Sequence, residues 1–346
     1  MTNLTQASRE LFSRPADERF ESLSDLASHC SELRERSRRL KEPIAVFCPE
    51  VHDGRIALRI DGHPPMSLNQ WSFSQLCSIS KVSKDTVNRL HPETAAQVLS
   101  ETLQEVSQEE TDLQALVYND SLVRAVNGER YHRLWNIELV QLLQEFAVDF
   151  RPPQKGFNGA TGLYAGQLDM FCFMVDPTGW TEIAGEAFAP GFFAFNSEVG
   201  RRTVGISTFW FQAVCCNHLV WDAIEITSVV HRHTGRVHDT LAEIRQAIEQ
   251  LSRRRDERKD RFAKVVQKAM ETGYGTSSEE TMRLLTDAKF TRTLATRAIE
   301  IAQRSGRLTV WAMVNALTQL ARESQFAGNR TEIDQRASAL LNLVAA

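Results

Sequence analysis

Apolar and polar positions change period several times along this chain. Up to residue 41 the pattern is polar and helix-like, closing on the basic run LRERSRRLK before Pro43 stops it. IAVFCPEV and RIALRIDG then alternate on either side of His52–Asp53–Gly54, which predicts a β-hairpin around an Asp-Gly turn. Helical spacing returns from Gln70 to Val106, broken at Leu90–His91–Pro92. QALVYN and SLVRAVNG predict a second hairpin across Asn119–Asp120, followed by a helix from Asn136 to Phe146.

RPPQKGFNGATG (151–162), dense in Gly and Pro, reads as a loop. Three strand-like stretches follow: QLDMFCFMVD, EAFAPGFFAFNSE and TVGISTFWFQAVC. Beyond Val237 the pattern is helical. Leu241, Ile244, Ile248 and Leu251 keep a three-and-four spacing that extends to one long helix over 237–272, then a break at Gly273–Ser278 and further helices up to Leu343. The expected fold class is α+β: an antiparallel sheet with inserted helices, followed by a helical C-terminal region. Three segments are expected, at 1–42, 43–236 and 237–346.

Composition changes this picture little. The 346 residues carry a formal charge of −4, which argues against a chain-wide polycation but leaves room for local basic patches. The longest apolar runs are strand-length, so no membrane span is expected. The polar N-terminus shows no secretory signal. The cysteines (Cys30, Cys48, Cys77, Cys172, Cys215, Cys216) have no disulfide-framework spacing, and together these features point to the cytoplasm.

The densest chemistry lies between Gly200 and Arg236. Arg201, Arg202, Asn217, His218, Arg232 and His233 interrupt a run of apolar and aromatic residues that includes Phe209, Trp210, Phe211 and Trp221. Arginine beside exposed rings is the pairing with which single-strand binders hold phosphate and stack bases. In a strand, however, Trp210 points away from Phe209 and Phe211, so one of the two sets belongs to the core. RRRDERKDRFAKVVQK (253–268) holds eight Lys/Arg against three Asp/Glu. Arg254, Arg255, Arg258, Lys259 and Arg261 therefore form either a stripe along phosphates or a solvated helix laced by ion pairs.

Other constellations are weaker. Cys215, Cys216, His218, His231, His233 and His238 lack the paired spacing of a zinc site, so neither a metal nor a cofactor is expected. A Cys-His nucleophile drawn from them has no visible activating group. GFNGATG lacks the GK[ST] ending of a phosphate loop. LCSISKVSKDTVNRL (76–90) has the order of a helix-turn-helix, with Lys81 or Ser80 in place of the usual turn glycine. Two short packing helices explain it better.

FNSEVGRRTVGI (195–206), AVCCNHLVW (213–221) and VHRHTGRV (230–237) carry a family resemblance. The chain resembles the phage- and plasmid-associated proteins grouped as domain of unknown function 932, over roughly residues 70–250. The matching positions are the turn Ser197, Glu198 and Gly200, then Cys215 or Cys216 with Asn217, and Arg232–His233–Thr234. VNGERYHRLWNIELVQLL (126–143) is similar to that family's arginine/tyrosine segment before a helix. His218 departs from the small residue more common there.

The resemblance implies a role in phage or plasmid DNA metabolism, and its outline is similar to single-strand annealing proteins of the Red-beta and Erf kind. The expectation is a non-enzymatic, homo-oligomeric protein that binds and anneals single-stranded DNA during recombination. Arg201, Arg202, Asn217, His218, Arg232, His233 and the 254–261 cations would contact the strand, and Trp210 would serve as the stacking platform. The alternatives are an enzyme built on Asn217, His218, Arg232 and His233, or a duplex-binding regulator using 76–90.

Overall fold

In the computed structural model, residues 17–107, 112–153, 162–183, 185–212, 218–221, 229–304, 306–324 and 326–345 are described, with 211–212 and 218–221 followed by their main chain. The chain opens with β1 (Glu18–Phe20), α1 (Leu23–Glu35) and β2 (Ser37–Pro43), then β3 (Phe47–His52), β4 (Arg55–Ile60) and β5 (Met66–Leu68). Three helices follow, α2 (Gln70–Ile79), α3 (Lys84–Val87) and α4 (Pro92–Ser107), then β6 (Asp112–Tyr118), β7 (Leu122–Gly128) and α5 (Asn136–Phe146). The second half brings β8 (Leu163–Ala165), β9 (Met170–Val175), β10 (Thr181–Ile183), β11 (Glu186–Asn196), β12 (Val204–Gln212), β13 (His218–Trp221) and β14 (Val229–His231). Helices α6 (Asp239–Arg253), α7 (Arg255–Glu271), α8 (Ser278–Asp287), α9 (Arg292–Arg304), α10 (Val310–Ala321) and α11 (Ala327–Ala339) complete it.

The fold is α+β, built on two sheets. An eight-stranded antiparallel sheet runs β1-β8-β9-β11-β12-β13, with β10 on β11 and β14 on β12. A six-stranded sheet runs β2-β6-β7-β5-β4-β3 and is mixed, because β5 lies parallel to β7. Both anticipated hairpins form. Asp53 and Gly54 turn β3 into β4, and Asn119 and Asp120 turn β6 into β7, all four at positive φ as the sheet's right-handed twist requires.

Two expectations are corrected. The basic run closing the N-terminal segment is not helical throughout: its second half is β2, pairing with β6 from Ser37↔Tyr118 to Pro43↔Asp112. The long helix over 237–272 is two helices, α6 and α7, divided at Arg254, which leaves helical geometry at φ −100°, ψ 19°.

One face of the six-stranded sheet buries Leu58, Val117 and Val126 against Phe73, Leu76 and Leu99 of α2 and α4. The eight-stranded sheet is covered on both faces. Val204, Ile206, Phe192 and Ala194 face α1, α5 and α6. Residues at the opposite parity form a block of phenylalanines (Phe171, Phe173, Phe193, Phe195, Phe209) packed with Ala327 at the start of α11. A sheet covered on both sides needs continuous apolar strands, which is why β9 and β11 read as unbroken hydrophobic runs. The turn between β11 and β12 meets the other face of the six-stranded sheet, where Val199 packs on Leu116 and Ala125.

Candidate functional site

Ser197–Glu198–Val199–Gly200 is the joint between the sheets, and its carbonyls are held by side chains from the six-stranded half. Tyr131 Oη donates to the Ser197 carbonyl at 2.9 Å and Arg133 Nε to that of Glu198 at 2.7 Å. Trp71 Nε1 and Gln75 Nε2, both on α2, donate to the Val199 carbonyl at 2.9 and 3.1 Å. The Glu198 carboxylate is enclosed. Arg124 on β7 reaches it with both terminal nitrogens at 3.3 Å, and the Asn136 amide at the start of α5 donates to it at 2.9 Å. An acceptor at a helix N-terminus satisfies an otherwise orphaned amide and meets the positive end of the dipole.

Gly200 closes the turn at φ +80°. A β-carbon there would come within 2.9 Å of Asn127 Nδ2 and 3.1 Å of Tyr131 Cε2. The position therefore requires glycine on two counts, conformation and space.

Above this joint opens a cleft of about 840 Å³. Its walls come from the end of β7 and the segment after it (Asn127 to Tyr131), from Gly200 to Thr203, and from Arg232, His233 and Thr234. Sequence-distant arginines converge there: Arg130, Arg201, Arg202 and Arg232. Asp112 and Glu129 also line it, but Lys41 on β2 bonds both, at 3.3 and 3.1 Å. The wall is consequently electropositive.

The guanidinium groups of Arg130 and Arg232 have no hydrogen-bond or carboxylate partner among the described residues. That of Arg201 only lies over the Trp71 ring, 5.7 Å from its centroid. Arg202 is committed: it bonds Asp169 at 3.0 Å and Glu332 of α11 at 2.7 Å. Beneath them Arg133 is buried. Desolvation lowers its pKa to about 10, opposed by Tyr131 and Glu198 and reinforced by Arg124 and Arg39.

His233 packs on Tyr131, ring centroids 5.1 Å apart, with Nδ1 3.2 Å from the His132 carbonyl. Burial lowers its pKa to about 4, more than the carbonyl contact raises it, so the ring is neutral at ordinary pH.

Of the residues anticipated from sequence, Arg201, Arg202, Arg232 and His233 come together in this cleft. Trp210 does not. It is fully buried, stacked on Phe262 of α7 at 4.3 Å and 6°, because β12 is sandwiched between helix layers. It has no face open to a base. The 254–261 cations line no part of the cleft and form no stripe on one exposed face. Arg258 lies buried on the same face as Phe262 and Val265, Arg255 pairs with Asp176, and Arg254 is forked onto Glu257 at 3.0 and 3.1 Å. Lys259 is half-buried and Arg261 exposed. Asn217 and the His218 side chain, like Cys215 and Cys216, lie outside the described residues.

In the 76–90 segment Lys81 takes the left-handed turn position at φ 56°, but α3 is a single turn with Val87 buried. It is too short to present a recognition face in a groove. Among the described residues no group of three or more His, Cys, Asp or Glu side chains could hold a metal ion, and no helix is long and apolar enough to cross a membrane.

Arg130 was the contributor that spacing along the chain did not single out. It falls inside VNGERYHRLW, the only signal for it, and is brought to Arg201 by the β7 end lying against the 197–200 turn.

The model of the family described as domain of unknown function (DUF932) matches residues 123–342, and the chain belongs to that family. The match begins at β7 and takes in α6 to α11, so the helical tail, expected to fall largely outside the resemblance, is part of it. It spans all of the joint and every arginine of the cleft wall. No curated protein and no solved structure is significantly similar to the chain.

Proposed function

We propose that this member of the DUF932 family is a non-enzymatic binder of single-stranded DNA, holding the phosphate backbone in the cleft with Arg130, Arg201 and Arg232. One observation carries the reading: three guanidinium groups line a single concavity, none of them bonded to a carboxylate among the described residues, while the two carboxylates of the lining, Asp112 and Glu129, share Lys41. In a chain of net charge −4, with neighbouring Lys41 and Arg202 both paired, cations left open in this way favour an anionic ligand. Planar, forked guanidinium groups match phosphate oxygens. Annealing of strands, assembly of several copies and a place in phage or plasmid recombination belong to the same proposal.

The test is binding of a labelled single-stranded oligonucleotide across a salt series. Each phosphate contact to a single strand contributes a slope of about −0.7 in log K against log salt, so three contacts give roughly −2. Arg201→Ala and Arg232→Ala should each weaken binding of every sequence alike and flatten the slope by about 0.7. Absence of binding at low salt, or binding indifferent to salt, refutes the proposal.

A further inference from the structure

Strand β2 forms one edge of the six-stranded sheet, and its two faces carry different chemistry. On one face Leu40 packs against the helix-covered core, and Arg38 is tied to Asp120 at 2.9 Å and to His63 at 3.4 Å. The odd-numbered residues face the joint. Ser37 Oγ accepts from Arg124 at 3.3 Å, and Lys41 bonds Asp112 and Glu129 of the cleft wall. Between them Arg39 pairs across with Leu116, which packs with Val199. Alternate residues of a strand lie about 6.8 Å apart, so Arg39 stands one such step beyond the cleft rim at Lys41.

Arg39 is exposed, and its guanidinium has no hydrogen-bond or carboxylate partner among the described residues. The cations around it are committed: Arg36 to Glu32 at 3.1 Å, Arg38 to Asp120, Lys41 to Asp112 and Glu129. Its charge acts on buried Arg133, adding to the desolvation that lowers the pKa there. Arg34, exposed in the last turn of α1, lies over the Trp135 ring at 5.6 Å, and Arg133 over the same ring at 5.7 Å. Arg133 also reaches the cleft, bonding Asn127 at 3.2 Å and lying over the Tyr131 ring. One buried cation therefore connects the cleft to a second group of unneutralised cations on the sheet edge. Like charges gathered around a desolvated cation repel, and an anion laid over them relieves that repulsion.

We propose that the single strand held in the cleft continues over the β2 edge, where Arg39 and Arg34 take further phosphates of its backbone. This rests on the phosphate-binding reading above. A guanidinium stacked on a ring keeps its in-plane N–H donors for phosphate, so Arg34 over Trp135 serves as Arg201 does over Trp71. Charged residues on an edge strand also discourage pairing with another sheet. That role makes Arg38 and Arg39 equivalent, whereas the path uses Arg39 and not Arg38.

The test measures binding of labelled oligothymidylates, a tetranucleotide and a hexadecanucleotide, to the full chain across a salt series. A longer strand gains affinity merely by offering more registers, so the salt slope is the readout. A strand confined to the cleft should give a slope of roughly −2, and two further contacts should take the longer strand to about −3.5. Arg39→Gln and Arg34→Gln should each flatten the long-strand slope by about 0.7 and weaken its binding at low salt about three- to fivefold. Both should leave the tetranucleotide unchanged, with thermal melting reporting on folding. Arg38→Gln should alter neither probe, and Arg201→Ala should weaken both. Slopes of roughly −2 at both lengths, or equal effects of Arg38→Gln and Arg39→Gln on the longer strand, overturn this inference and leave the cleft standing. Failure of the longer strand to bind at low salt overturns the cleft reading and this one with it.

Discussion

Replacing Glu198 with alanine tests the joint on which the cleft is built. The carboxylate is 1% exposed and its partner Arg124 is 8% exposed. Truncation would leave the Arg124 guanidinium buried, with the Ser37 hydroxyl at 3.3 Å as its remaining partner. Breaking one side of a buried ion pair costs about 3–5 kcal/mol, because an uncompensated charge stays behind. The Asn136 amide would lose its acceptor as well, a further penalty of about 1–3 kcal/mol. The two overlap, since relaxation around one relieves the other, so the expected loss is about 4–6 kcal/mol. Glu198→Gln keeps an acceptor for Asn136 and should lose less.

The assay is equilibrium unfolding in urea, followed by far-UV circular dichroism, on Glu198→Ala, Arg124→Ala and the double variant. A coupling of at least about 1.5 kcal/mol between the sites is expected, the double variant being less damaged than the sum of the singles. A loss below about 1 kcal/mol for Glu198→Ala, or additivity of the two substitutions, would show that the joint is not held by this pair.

Two further outcomes follow. The folded-state pKa of His233, lowered by burial to about 4, means that the unfolded chain binds its proton more readily. The contribution of the neutral ring is therefore complete above about pH 6.5 and is lost as pH falls toward 4. His233→Phe should remove this part of the acid sensitivity, and a stability profile against pH equally steep in variant and wild type contradicts it. Trp210→Ala, which empties a buried site stacked on Phe262, should cost about 3–5 kcal/mol by urea unfolding. It should leave the affinity of the folded protein for a single strand unchanged, whereas a selective loss of affinity would restore Trp210 as a stacking platform.

Local pattern was enough for much of the secondary structure. Asp53–Gly54 and Asn119–Asp120 are turn chemistry acting over a few residues, and the hairpins they close are where the alternation put them. Helix α5 begins at Asn136 and ends at Phe146, both bounds legible from its apolar spacing. The strand parity of β12 was legible too: Phe209 and Trp210 do point to opposite faces.

What parity cannot say is whether a face is covered. Helices that arrive more than fifty residues later cover both, which turned an expected platform into core. The same long-range packing turned Arg258 inward and tied Arg255 to Asp176, although the run 253–268 is uniformly basic to the eye. SRRLK became strand because β6 offered it a partner, not because its own residues favour extension. The sequence alone determined which segments alternate, which turn and which residues are able to bind an anion. Only the strand order and the 197–200 joint decided that Arg130, Arg201 and Arg232 share one wall, because side chains 31, 71 and 102 positions apart meet through tertiary packing that no local period encodes.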